Sequence, residues 1–298
     1  MRKMVKPKRL SFGGTIGVIA PAGVVQPEKL EEGIGWLIEK GFRIKRGRYL
    51  TCQSGYLAGT DVERAKDVMD MFLDDQVDAI ICARGGYGCM RLLPMLKYNE
   101  IRKRPKIFVG YSDITALHVA LQQQAGMISF HGPMVASSLC GEPETFSWKS
   151  LCEMVDGTGE AHFTGTFLRG GHAEGILVGG NLSVITSLMG TPYELSLRGA
   201  VLCIEEVNEA AYRIDRMLTQ LLLGGKLKHA AGIVIGDLEG CDFKLPEVLM
   251  ERFAELRIPI LTGIHFGHGK QNITLPFGVR ARIDSNVGGL VCLETSVV

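Results

Sequence analysis

Short uninterrupted apolar runs alternate with longer segments of helical period through the first half of the chain. TIGVIAPAG (15–23) is a β-branched run closed by Pro and Gly, the pattern of a buried strand that leads into a loop. EKLEEGIGWLIEKGF follows, with Leu30, Ile34, Leu37 and Ile38 on one helical face and Gly41 at the expected C-cap. Residues 61–75 repeat the helical period through Val68, Met69 and Phe72, and VDAIICARGG then supplies another continuous apolar strand. KIFVGYSD running into ITALHVALQQQ gives a further strand-to-helix passage. Strands that are apolar throughout are buried on both faces, so their alternation with amphipathic helices predicts an α/β fold with a parallel sheet.

From about residue 160 the pattern changes. EAHFTGTFLRGGHAEG (160–175) is rich in Gly and small polar residues and has no helical period, so it reads as a linker. Beyond it GILVGGN, GAVLCIEEV, AAGIVIGDL and GGLVCLE are strand-like, and clear helices are expected only around NLSVITSLMG and AYRIDRMLTQLLL. The expected organisation is therefore a parallel-sheet α/β domain over residues 1–165 and a strand-rich mixed domain over 166–298.

Composition agrees with two domains, because 298 residues exceed one ordinary core. A balance of 33 basic against 32 acidic side chains gives no electrostatic case for a nucleic-acid partner. The basic amino terminus lacks the long apolar core of a secretory signal, and no run reaches the roughly 18 apolar residues of a membrane span. The eight cysteines form no CxxC pair, and Cys82, Cys203 and Cys292 fall inside strand-like runs. They read as reduced core residues of a cytoplasmic protein.

Candidate chemistry gathers at four places. Ser112 stands where the strand FVG meets the helix ITALHVAL; functional groups of α/β sheets collect at such carboxyl ends of strands. A serine on this turn projects its hydroxyl beside unpaired amides, as a nucleophile requires. Gly110 matches the first glycine of a G-x-S-x-G elbow, but Ile114 replaces the second, and the alternative is that Ser112 or Asp113 merely caps the helix. ARGGYG (83–88) can present amides to an oxyanion or a phosphate, or serve only as a tight turn. Glu205 and Glu206 interrupt an apolar strand, so at least one carboxylate faces inward, either for catalysis or paired with Arg213 or Arg216. His265 and His268 lie in a Gly-rich loop outside any metal-ligand pattern, where a general base competes with an ordinary surface histidine.

Taken together, IGVIAPAG, ARGGYG, VGYSDITAL, HGPM, GGNLSVITSLMGTP, EEVNEAAYRIDRMLTQL and GHGKQNITLPFGV, in this order across nearly the whole chain, resemble the LD-carboxypeptidase family of serine peptidases. Relatives of the microcin C immunity peptidase belong to the same superfamily. The resemblance implies a Ser-His-Glu triad of Ser112, His268 and Glu205, with His265 not at the matching position. It implies an active site between the two domains, a homodimer, and neither metal nor organic cofactor. The backbone amides of Asp113 and Gly86 are then the expected oxyanion donors. The implied reaction removes terminal D-alanine from a murein tetrapeptide; a peptidyl-nucleotide antibiotic is the alternative small substrate. A nucleotide-binding kinase with phosphate on the GGYG loop is the rival from another class.

Overall fold

The apolar runs of the first half become neighbours in one sheet. In the computed structural model, which describes residues 3–141, 143, 145–158, 162–242 and 245–298, β1 (Thr15–Ile19), β2 (Arg43–Arg46), β3 (Ala79–Cys82), β4 (Ile107–Gly110) and β5 (Ser129–His131) pair in parallel. Every residue of β3 and β4 is buried, which is why neither shows polar alternation. The crossovers are α1 (Pro27–Glu39), α2 (Asp61–Leu73), α3 (Cys89–Leu92) with α4 (Tyr98–Lys103), and α5 (Thr115–Ala120).

Leu30, Ile34 and Leu37 of α1 are buried as their spacing predicts, whereas Ile38 is 55% exposed. One residue beyond Leu37 lies about 100° further round the helix, past the edge of the apolar stripe. The helix closes at Gly41, whose φ of +89° lets its amide reach Ile38 O while the amide of Phe42 reaches Leu37 O. A capping box between Thr60 and Glu63 starts α2. One turn later the buried Arg64 donates to Pro21 O and, at 3.0 Å, to Gly88 O. This guanidinium thereby joins the loop after β1 to the loop after β3.

After α6 (Thr145–Asp156), the chain builds a second sheet from β6 (His162–Thr164), β7 (Thr166–Arg169), β8 (His172–Asn181), β9 (Ala200–Val207), β10 (Gly232–Glu239) and β11 (Ile260–Thr262). β12 (Leu275–Phe277) returns to the first sheet, antiparallel to β5, and β13 (Arg280–Asp284) and β14 (Gly289–Cys292) complete the second. Its order is β6-β14-β13-β8-β9-β10-β11-β7, with a parallel centre from β8 to β11 and antiparallel flanks. The strand-rich mixed character expected of this half is what forms.

The stretch expected as a linker is corrected: from residue 162 it is β6, β7 and the start of β8, while residues 160 and 161 lie outside the described residues. β6 and β7 are the two edges of the sheet, where short strands with polar positions are tolerated and the local sequence signal is weak. Besides α7 (Leu182–Ser187) and α8 (Ala211–Leu223), LPEVLMERF forms α9 (Leu245–Phe253), a helix the periodicity reading left out. Among the described residues no helix is long and apolar enough to cross a membrane.

Both sheets feed the same core. One buried cluster joins Phe72, Phe108 and Leu117 to Leu182, Ile204 and Ile214. Polar bonds fix the relation further: Gln122 Nε2 donates to Leu177 O at 3.2 Å, and the amide of Asn181 donates to Thr115 Oγ1 at 2.9 Å. The helix that follows Ser112 is thus bonded to β8, the immediate neighbour of the strand that carries Glu205.

Candidate active site

Strand order in the first sheet reverses at β1, with β2 on one side and β3, β4 and β5 on the other. Loops leaving carboxyl ends diverge at such a reversal and open a crevice. Here the crevice is a cavity of about 400 Å³ whose lining includes Arg84 and Gly86 after β3, Tyr111 and Ser112 after β4, Met134 after β5, and His268 after β11. A cavity of about 480 Å³ lies elsewhere, against Ile16, Ala79 and Ile107 near the strand beginnings; none of Ser112, Glu205 and His268 lines it.

Ser112 has φ +65°, and among the described non-glycine residues only Asn208 shares a positive φ. A left-handed non-glycine residue costs about 1–3 kcal/mol, and the surroundings must enforce it. They do so from two sides. A Cβ built on Gly85 would lie 2.8 Å from Ser112 Cβ and 2.9 Å from its Oγ, so the loop after β3 packs directly on the serine only because residue 85 has no side chain. Beneath, Gly110 O receives His118 Nε2–H at 2.8 Å, which leaves His118 Nδ1 to accept from Ser129 Oγ at 2.8 Å. Burial pushes the His118 imidazolium down to a pKa of about 3, against the opposing bond to Gly110, so this brace is neutral.

The capping alternative does not hold. The 3₁₀ turn Ser112–Ile114 starts without a side-chain cap. The Asp113 carboxylate turns away and accepts the Cys89 amide at 2.8 Å. The amide of Asp113 lies 3.5 Å from the would-be Gly85 Cβ, so it borders the same loop as Gly86, whose φ is +118°.

Glu205 and Glu206 are both buried, on opposite faces of β9, and among the described residues neither pairs with an arginine. Arg213 instead approaches Glu209 at 3.5 Å, and Arg216 sits over the Tyr212 ring. Glu206 is saturated by Asn181 Nδ2 at 2.8 Å, the Ser183 amide at 2.8 Å and the Ser183 hydroxyl at 2.6 Å, as befits a structural carboxylate. Glu205 Oε2 lies 2.6 Å from His268 Nδ1. A carboxylate only accepts, so Nδ1 carries the proton and Nε2 is left as the basic nitrogen. Gly267 makes room for this bond, because a Cβ there would lie 2.5 Å from Glu205 Oε2.

Burial pushes the Glu205 carboxyl up, but the imidazoles of His131 and His268 outweigh it and hold the group below its ordinary value. Burial likewise opposes a charged His268, yet the bond to Glu205 and the charges of Glu205 and Glu206 raise its pKa. The Tyr111 ring meets the His268 ring edge-on with centroids 4.9 Å apart. His265 stands apart from this pair and bonds Asp237 Oδ1 at 2.9 Å.

Two residues escaped the sequence reading. His131 was seen only inside the HGPM motif; it is fully buried, among the described residues neither ring nitrogen has a hydrogen-bond partner, and its Nε2 lies 4.0 Å from Glu205 Oε1. Arg84 was seen only as part of a glycine loop, although a lone cation one residue before a Gly pair at a strand end was visible.

The family model for the LD-carboxypeptidase N-terminal domain matches residues 16–132, and that for the LD-carboxypeptidase C-terminal domain matches residues 174–283. A probable murein peptide carboxypeptidase of Bacillus subtilis is 44% identical over 292 residues, covering 94% of this chain and 92% of the relative. The microcin C7 self-immunity protein MccF of Escherichia coli is 28% identical over 92% of each chain. The crystal structure of muramoyltetrapeptide carboxypeptidase from Oxalobacter formigenes superimposes with a TM-score of 0.85 at 32% identity, covering 93% of this chain and 97% of that one. With both halves matched by the family models and a relative 44% identical over nearly the whole chain, the chain belongs to the LD-carboxypeptidase family.

Proposed function

We propose that the protein is a serine LD-carboxypeptidase that hydrolyses the amide between an L-centre diamino acid and the terminal D-alanine of a murein tetrapeptide, in peptidoglycan recycling. One observation carries this reading: the Glu205–His268 pair, 2.6 Å apart, has its imidazole in the wall of the cavity that also holds the strained Ser112. Ser112 Oγ attacks the scissile carbonyl while His268 Nε2 takes the hydroxyl proton; Glu205 holds the ring in the required tautomer and stabilises the imidazolium. The amides of Asp113 and Gly86 receive the oxyanion, each such donor being worth roughly 3–4 kcal/mol in the transition state. His268 then protonates the departing D-alanine nitrogen, and a water, deprotonated by the same nitrogen, cleaves the acyl-enzyme.

The relatives named for murein peptides favour this substrate, and the MccF likeness motivates the peptidyl-nucleotide alternative. The kinase rival gains no support, since no phosphate-binding motif follows the GGYG loop and the cavity carries a nucleophile and base. A homodimer is expected from the family resemblance. A cytoplasmic setting agrees with eight unpaired cysteines. The test is D-alanine release from purified tetrapeptide by wild type and by Ser112→Ala, with a peptidyl-nucleotide compared in parallel. Equal release by the two proteins excludes Ser112 as nucleophile, and faster turnover of the peptidyl-nucleotide reassigns the substrate.

A further inference from the structure

The cavity that holds Ser112 and His268 has Arg84 and Lys29 in its lining and no aspartate or glutamate. Among the described residues, neither cation has a carboxylate within ion-pair distance of 4.0 Å. Arg84 is half-buried and Lys29 is exposed at the rim, so it is the guanidinium whose unneutralised charge is costly to hold there unless an anion completes the site. Arg84 is also positioned rather than free to wander, because its Nη1 donates to Val24 O at 3.0 Å. The rest of the guanidinium runs past two residues without side chains. A Cβ on Gly23 would lie 3.7 Å from Nε, and one on Gly86 would lie 3.9 Å from Nη2. A planar guanidinium fixed at one corner presents its other N–H groups as a fork, the arrangement that suits a carboxylate.

Its place relative to the chemistry selects the ligand. Arg84 directly precedes Gly85, the residue packed on Ser112. In the peptide of the proposed reaction, the terminal carboxylate is two covalent bonds, about 2.5 Å, from the scissile nitrogen. An anion so near the attacked carbonyl calls for a cation in the cavity that holds the nucleophile, and Arg84 lines that cavity together with Ser112. We propose that Arg84, assisted by Lys29 at the rim, binds the free carboxylate of the departing residue and so restricts the enzyme to substrates that end at that residue. This rests on the hydrolase reading above and adds the group that makes it an exopeptidase.

The test uses the full chain and two substrates, the tetrapeptide with a free terminal carboxylate and the same peptide with a terminal carboxamide. Release of D-alanine or D-alaninamide gives kcat/KM for each. Wild type is expected to favour the acid by about 10- to 100-fold, the range for a charge-assisted contact. In Arg84→Gln the acid-to-amide ratio collapses toward one, and Arg84→Lys, which keeps the charge but loses the fork, falls between. General damage to the fold lowers both rates together and leaves the ratio alone. A wild-type enzyme without preference for the acid, or an unchanged ratio in Arg84→Gln, overturns the proposal. If Arg84→Gln is too inactive to measure, Arg84→Lys decides: a lowered ratio supports the subsite and an unchanged one overturns it. A wild type that releases nothing from either peptide refutes the hydrolase reading itself, a result distinct from an unchanged ratio.

Discussion

Gly85→Ala isolates the contact that sets the nucleophile's position. The φ of Gly85 is outside the left-handed region, so alanine meets no backbone penalty there and its only new feature is one methyl group. That methyl would lie 2.8 Å from Ser112 Cβ, about 0.6 Å short of the 3.4 Å at which ordinary contact begins. The serine turn is itself held by α5, by His118 under Gly110 and by the Asp113–Cys89 bond, so the loop and the turn must share the displacement. A misplacement of about 1 Å can cost roughly 100-fold in rate, so about 0.6 Å should lower kcat by roughly 10- to 30-fold. Overpacking of this kind costs about 1–3 kcal/mol, which corresponds to a fall in Tm of roughly 2–5 °C for a chain of this size. Steady-state D-alanine release, the rate of labelling by a serine-directed fluorophosphonate and a thermal melt measure the three effects. Wild-type kcat and labelling in a folded Gly85→Ala protein would refute the view that this loop fixes Ser112.

Two further perturbations probe the carboxylate behind the histidine. Glu205→Gln replaces the carboxylate by a neutral amide whose NH2 can donate to His268 Nδ1 and so favour the wrong tautomer, and it should reduce kcat by roughly 10³- to 10⁴-fold. Because the His268 pKa is raised above its ordinary 6.5, kcat/KM of the wild type should climb with pH through that raised value, and Glu205→Gln should shift this limb to lower pH; an unmoved limb contradicts the pairing. The same shifts set a stability window. The raised His268 contributes stabilisation that is complete below 6.5 and lost as pH rises through its folded value, while the lowered Glu205 contributes above 4.5 and loses its share as pH falls through its own. Denaturant titrations of wild type and His268→Gln should therefore differ most between those limits. His131→Leu takes an imidazole from 4.0 Å beside Glu205 Oε1 with little loss of packing; a rise in the Glu205 pKa and a roughly tenfold fall in kcat are expected, and an unchanged pH–rate profile would show that His131 only fills space.

Elements buried uniformly along their length were legible without any tertiary information. β3 and β4 are apolar at every position because the sheet is covered on both faces, and a local run of four residues reports that fully. The same logic placed Ser112 at a strand's carboxyl end, while the ordered motifs nominated Glu205 and His268. Local pattern failed where burial is one-sided or the partner is remote. β6 and β7 looked like a linker because edge strands accept glycine and polar residues, and α9 was passed over among strand-like neighbours. Nothing local announces that Leu275–Phe277 crosses back to pair with Ser129–His131, since register between segments far apart in sequence is settled by the shared core. Only that tertiary closure turned β9 so that Glu205 meets His268 while Glu206 is consumed by Asn181 and Ser183. Two adjacent glutamates with the same intrinsic chemistry were separated in role by which face of a strand each occupies, and by what the rest of the chain brings to that face.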